Sequence, residues 1–100
     1  MSCYVYMIKS IKDNSYYVGI SEDPIRRLKE HNSGKLKRTA KNKPHKIVFI
    51  KEHLDYKKAR IHEIWLKKKN KEYKDKVADF DAKNKNYVEH SPLPRPLRAG

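Results

Sequence analysis

The sequence predicts an α+β domain, a small three-stranded antiparallel sheet flanked by helices, in the order β-β-α-β-α-α. Three observations predict it. Two short runs rich in β-branched and aromatic residues, Cys3 to Lys9 and Tyr16 to Ile20, flank a polar turn at Asp13-Asn14-Ser15, the pattern of a β-hairpin. Asp23-Pro24 then reads as a helix start, with an acid to cap it and a proline in the first helical position. A third apolar run, Ile47 to Ile50, precedes a longer helical stretch that Asp55 can cap.

Each element has its own signal. The two hairpin strands are apolar on both faces, so both faces should be covered. The hairpin makes the first pair antiparallel, but the residues alone leave open where the third strand joins. In the first helix Ile25 and Leu28 lie three apart and should anchor one side. Asn32-Ser33-Gly34 should end it with a residue able to take a positive φ. From Lys35 to Lys46 the chain is polar and basic, and reads as a loop with no core inside it. The helix after Asp55 should run to about Lys69 through Ala59, Ile61, Ile64, Trp65 and Leu66, with apolar residues on more than one side and therefore two packed neighbours. A weaker helix is expected from Lys71 to about Phe80. The folded domain then occupies residues 1–80. Residues 81–100, with Pro92, Pro94 and Pro96 alternating, read as an extended or disordered tail.

Composition narrows the function classes. The chain has 100 residues, 25 Lys+Arg against 12 Asp+Glu, and a formal net charge of +13. That excess draws in polyanions, and counterion release from phosphates makes nucleic acid the natural partner. A lysine-biased solvated surface would carry the same charge, so the motifs must decide. No stretch is long and apolar enough to span a bilayer. Basic residues lie in loops as much as on one helical face, which argues against a membrane-surface role. The single cysteine, Cys3, allows no internal disulfide and fits a reducing, cytoplasmic setting. Neither a zinc-spaced His/Cys cluster nor a glycine-rich phosphate loop is present.

Several residues could do chemistry. Tyr4 and Tyr6 share one face of the first strand, and Tyr17 lies in the strand paired with it. Tyrosine clusters are usually core. Gly19 inside a strand marks a place where another backbone or a ligand comes close. Arg27 and His31, four apart, share a helix face. Glu30 pairing with a lysine would make that face merely solvated. Alternatively Arg27 offers a planar fork to two phosphate oxygens, and His31 can donate to another oxygen, position water or protonate a leaving group. Glu63 places an acid on a stripe that otherwise packs inward, where it needs a partner. Arg60, three residues earlier, would make a plain helix salt bridge. A divalent cation is the other option, since Mg²⁺ takes one or two protein carboxylates and fills its remaining positions with water and phosphate oxygens.

Taken together the pieces resemble the GIY-YIG nuclease superfamily. Tyr4-Val5-Tyr6 and Tyr17-Val18-Gly19 resemble its two eponymous tripeptides. Ser21, Asp23, Arg26-Arg27-Leu28, Glu30-His31-Asn32-Ser33-Gly34-Lys35, Thr39 and Pro44 follow in order, then Ala59-Arg60, His62-Glu63 and Lys67. The agreement spans roughly residues 3 to 70. It is most similar to small stand-alone bacterial members that consist of this domain only and are like the N-terminal domain of a DNA-repair excinuclease. Tyr4-Val5 stands where the family name has Gly-Ile, Val18 replaces Ile, and His62 stands where many relatives have arginine. A separate DNA-recognition domain, of the kind attached to homing or restriction members, is not expected. The resemblance implies a first strand in the middle of the sheet and a metal-dependent endonuclease acting on nucleic acid, DNA rather than RNA, in repair or processing. It implies catalytic roles for Tyr6, Tyr17, Arg27, His31 and Glu63, with Glu63 the ligand of Mg²⁺ or Mn²⁺. Tyr6 or Tyr17 would help deprotonate water, His31 would orient water or Tyr17, and Gly19 would let the phosphate approach. Lys35, Lys37, Arg38, Lys41 and Lys43 would grip the backbone without reading sequence. The alternative is a non-catalytic nucleic-acid-binding module acting with a larger repair partner.

Overall fold

The computed structural model describes residues 2–83, with side chains through residue 79. Of the tail expected over 81–100, residues 84–100 lie outside this range. Seven elements follow in order: β1 (Cys3–Ser10), β2 (Tyr16–Ser21), α1 (Pro24–Asn32), α2 (Lys37–Ala40), β3 (His45–His53), α3 (Tyr56–Lys67) and α4 (Lys71–Lys83). The sheet is antiparallel throughout in the order β2-β1-β3, so β1 is the middle strand.

β1 is covered on both faces, as two-sided apolarity requires. One face buries Cys3, Val5 and Met7 with Val18, Val48, Ala59, Leu66 and Ala78, the side of α3 and α4. The other buries Tyr4, Tyr6 and Ile8 with Ile47 and Ile50, and Leu28 of α1 packs there beside Tyr17. The register shifts between Met7 and Ile8, whose partners are Phe49 and Ile47, so Val48 is an extra residue in β3. This bulge turns both Val48 and Phe49 to the α3 side while Ile47 and Ile50 keep the other.

Local chemistry sets the ends of the elements. The Ser10 hydroxyl accepts from the backbone N–H groups of Lys12 and Asp13, and Asn14 takes φ 63° to close the hairpin. Asp23 accepts from the Arg26 N–H with Pro24 behind it, and Asp55 accepts from the Lys58 N–H. Gly34 turns out of α1 at φ 84°. Asn32 clamps the start of β3, accepting from the His45 N–H at 2.6 Å and donating to its carbonyl at 3.0 Å. The Tyr16 hydroxyl donates to Asp75, tying β2 to α4.

Three expectations need correction. The basic segment is not all loop and does contribute to the interior: α2 forms within it, and Thr39 and His45 are buried. Both are polar, Thr39 with its hydroxyl against His31 and His45 with its backbone clamped by Asn32, so hydrophobic patterning passes over them. Ile25 is exposed, and α1 is anchored instead by Pro24, Leu28 and His31. In α3, Ala59, Glu63 and Leu66 face inward, whereas Ile61 (63% exposed) and Ile64 face out. Helix α4 packs along β3 and meets α3 through the Trp65–Tyr73 edge contact, leaving that second apolar side uncovered among the described residues.

Leu66 is 1% exposed between α3 and the sheet. Leu66→Ala should therefore cost about 3 kcal/mol of unfolding free energy, whereas Ile61→Ala should change it by less than about 0.5 kcal/mol. Urea denaturation of both variants checks the pair.

Candidate active site

The tyrosine face of the sheet is where Tyr6, Tyr17, Arg27 and His31 meet, while Glu63 comes from α3, the helix on the other face. Tyr6 points from the middle of β1 onto that face and is 1% exposed. Its register partner is Gly19. A Cβ there would stand 2.6 Å from the Tyr6 hydroxyl and 2.8 Å from Cζ. Glycine is thus required by the Tyr6 side chain itself, which lies across β2.

Helix α1 supplies the next two residues. His31 comes up from its last turn, also 1% exposed, with Nε2 2.9 Å from the Tyr6 hydroxyl. Its other nitrogen, Nδ1, lies 2.7 Å from Oγ1 of Thr39, delivered by α2. The Tyr17 ring stacks at a tilt on His31, centroids 4.9 Å apart, and lies 6.4 Å from that of Tyr6. The histidine expected to orient water or Tyr17 is therefore hydrogen-bonded to Tyr6. Arg27, one turn earlier, is half-buried beside the Tyr6 hydroxyl. Its Nη1 donates to Glu30 at 2.7 Å, and Arg26 approaches the same carboxylate at 3.9 Å, so arginines rather than a lysine neutralise Glu30.

This burial sets the protonation states. Burial pushes the Tyr6 hydroxyl up to about 12, the neighbouring Tyr17 adds to the shift, and Arg27 opposes it. Burial, then the positive charges of Arg27 and His45, push His31 down to about 4. The glutamate beside Arg27 holds that guanidinium protonated. At neutral pH the site contains a neutral phenol, a neutral imidazole and a fixed cation.

Glu63 approaches from α3. It is 7% exposed, and its negative charge lies close enough to help hold the Tyr6 proton, after burial and Tyr17. Arg60 Nη1 donates to Oε1 at 2.6 Å and Lys67 Nζ lies 3.1 Å from Oε2. The plain helix salt bridge is thus present, doubled. Among the described residues no three His, Cys, Asp or Glu side chains are grouped to hold a metal ion. A lone hard oxygen donor still suits Mg²⁺ or Mn²⁺, which keep most of their positions for water and phosphate. Arg60 and Lys67 are each about half exposed, so either can swing aside from Glu63. His62 turns the other way, its Nδ1 2.9 Å from His53 Nε2 and its ring edge-on to Phe49.

Lys35, Lys37, Arg38, Lys41 and Lys43 are all exposed, on and around α2. The side chain of Lys43 passes 3.5 Å from the position a Cβ on Gly34 would take. Two residues that shape the site had no assigned role in the sequence: Thr39, and His45, whose ring lies 6.2 Å from that of His31 with Nδ1 lacking a hydrogen-bond partner among the described residues. The signal for both was a polar residue spaced from His31 by a turn and a short loop, which only the fold converts into contact.

The chain is similar to known proteins. Residues 2–76 match the GIY-YIG catalytic domain family. The chain is 36% identical over 73 residues to a UPF0213 protein of Streptococcus pneumoniae, covering 72% of this chain and 73% of that one. It is 30% identical over 86 residues to the UPF0213 protein YazA of Bacillus subtilis, covering 85% and 86%. A 50-residue stretch is 46% identical to the structure-specific endonuclease subunit SLX1 of Kluyveromyces lactis, covering 43% of this chain but 17% of that longer protein. The solution structure of the UPF0213 protein BH0048 from Bacillus halodurans superimposes with a TM-score of 0.53 at 28% identity, covering 89% of this chain and 98% of that one. With its β2-β1-β3 sheet, its paired tyrosines and the family match running from residue 2 to residue 76, this chain belongs to the GIY-YIG catalytic domain family of nucleases.

Proposed function

We propose that the protein is a divalent-metal-dependent endonuclease that hydrolyses phosphodiester bonds in DNA, in repair or processing within the cytoplasm. One observation carries the reading: Tyr6, His31 and Arg27 converge on one sheet face, with the phenol hydrogen-bonded to a neutral imidazole beside a fixed guanidinium. That is the equipment for activating water next to a phosphate.

The chemistry follows from the protonation states. A phenol pushed up to about 12 does not ionise at neutral pH. It can relay a proton instead. As a water oxygen bonds to phosphorus, its proton moves to the Tyr6 oxygen and the Tyr6 proton moves to His31 Nε2, 2.9 Å away. The bond to the 3′ oxygen breaks, and that oxygen takes a proton from solvent. Arg27 neutralises charge growing on the phosphoryl oxygens. Tyr17 walls the imidazole and fixes its tilt. Glu63 would hold Mg²⁺ or Mn²⁺, which would supply positive charge against the charge developing in the reaction. The exposed cations at Lys35, Lys37, Arg38, Lys41 and Lys43 hold the phosphate backbone without reading bases.

A second reading has one observation in its favour. Both Glu63 oxygens are occupied by Arg60 and Lys67, which suits a binding module with little turnover that works with a larger repair partner.

Cleavage of a labelled panel of duplex, single-stranded and branched DNA, and of RNA, with Mg²⁺ or Mn²⁺ separates the readings. Metal-dependent cutting should fall at least about 100-fold in Glu63→Gln and in Arg27→Ala with binding nearly unchanged. Binding across the panel without cutting by the wild type leaves the module. Gly19→Ala should fold yet lose most cutting, because its methyl displaces the Tyr6 hydroxyl from His31; retained wild-type turnover would refute that account of Gly19. Replacing Lys37 and Arg38 together by alanine should lower the salt slope of DNA affinity by about 2, as a filter-binding titration over KCl concentration can measure.

A further inference from the structure

The relay just described needs His31 in one tautomer, with a bare Nε2 facing Tyr6 and the ring proton on Nδ1. A neutral imidazole in water favours neither arrangement strongly, so a partner on the far nitrogen has to choose. Thr39 is that partner. It is buried, and its Oγ1 lies 2.7 Å from Nδ1. The same hydroxyl faces the carbonyl of Leu36, the residue that caps α2, across a long 3.5 Å, and that carbonyl also accepts the Thr39 N–H at 3.1 Å. A hydroxyl has one proton to give. The buried Tyr6 hydroxyl decides where that proton goes: among the described residues its hydrogen-bond acceptor is His31 Nε2 at 2.9 Å, so Nε2 is bare, Nδ1 carries the ring proton, and Oγ1 turns its lone pairs to Nδ1 with its own proton toward Leu36.

We infer that Thr39 is a positioning residue which fixes the Nδ1–H tautomer of His31, and thereby makes Tyr6 a donor to His31 rather than an acceptor from it. The consequence for catalysis rests on the nuclease reading, but the tautomer itself does not. If the hydroxyl instead gave its proton to Nδ1, the ring proton would sit on Nε2 and point at Tyr6. The phenol would then have nowhere to pass a proton, and the chain from water to imidazole would be broken. The helix that supplies Thr39 also presents Lys37 and Arg38 to solvent. A single turn of helix therefore carries both a backbone-gripping surface and the group that sets the histidine.

Thr39→Val removes the hydroxyl with almost no change in volume, and Thr39→Ser keeps it. Nitrogen-15 NMR of the His31 ring reads the tautomer directly. The wild type and Thr39→Ser should show a protonated Nδ1 and a bare Nε2, and Thr39→Val a mixture or the reverse. A wild-type protein with its ring proton on Nε2 overturns the inference without any variant, so it stays testable if Thr39→Val does not fold. In cleavage assays Thr39→Val should lower kcat about 10- to 100-fold at little change in KM, with Thr39→Ser restoring most of it. Unchanged tautomer and unchanged kcat in Thr39→Val also overturn it. A shifted tautomer in a protein that cuts nothing upholds the positioning role and refutes the nuclease reading alone.

Discussion

The middle strand cannot be dry and polar at once. β1 is buried on both faces, and on one of them it carries Tyr6, whose hydroxyl has left bulk water and must find a partner. His31 is that partner. Much else in the molecule serves this one bond. Gly19 clears the space across β2 that the Tyr6 ring occupies. Leu28 and Pro24 seat α1 so that its last turn lies over the sheet. Asn32, the next residue along, clamps the first residue of β3 and fixes where the helix ends relative to the sheet. Thr39 closes the chain of hydrogen bonds from the other side of the imidazole.

The same bond accounts for the electrostatics. Burying a phenol and an imidazole together moves both away from the charged form, the phenol upward and the imidazole downward. The permanent charge of Arg27 sits at the edge of this neutral pair, held by Glu30. Most of the net charge of +13 lies elsewhere, on exposed lysines and arginines that attract polyanions from a distance. Long-range attraction and local chemistry are thus assigned to different residues. Glu63 stands between the two: it is buried like the chemical groups, yet bound to Arg60 and Lys67 like a surface carboxylate.

Much of this was legible from the residues. The hairpin, both capped helices and the positive φ at Gly34 follow from local rules that act over a few residues. The inward face of α3 through Ala59, Glu63 and Leu66 follows from helical spacing. The segment from Lys35 to Lys46 was not legible in the same way. Its polarity signals solvent, but Thr39 is buried against His31 and His45 is drawn in as Asn32 clamps its backbone, both partners lying outside the segment. Ile61 and Ile64 fail in the opposite sense, since apolarity signals burial only where a neighbour arrives to cover it.

By itself the sequence determined every element but α2 and the order of the rest, the charge, the residue types available for chemistry, and through their ordered resemblance the family to which the chain belongs. Hydrogen bonding and hydrophobic period within one element set these, and neighbours in sequence are enough to read them. The place of β1 in the middle of the sheet, which the family resemblance implied, is borne out; only the tertiary structure decided the bulged register in which β3 joins it and that His31 bonds Tyr6 rather than Tyr17. It also decided that a threonine eight residues past His31 reaches that histidine. Those are distances between segments, set by how helices seat on a twisted sheet, and no pattern within a single segment encodes them.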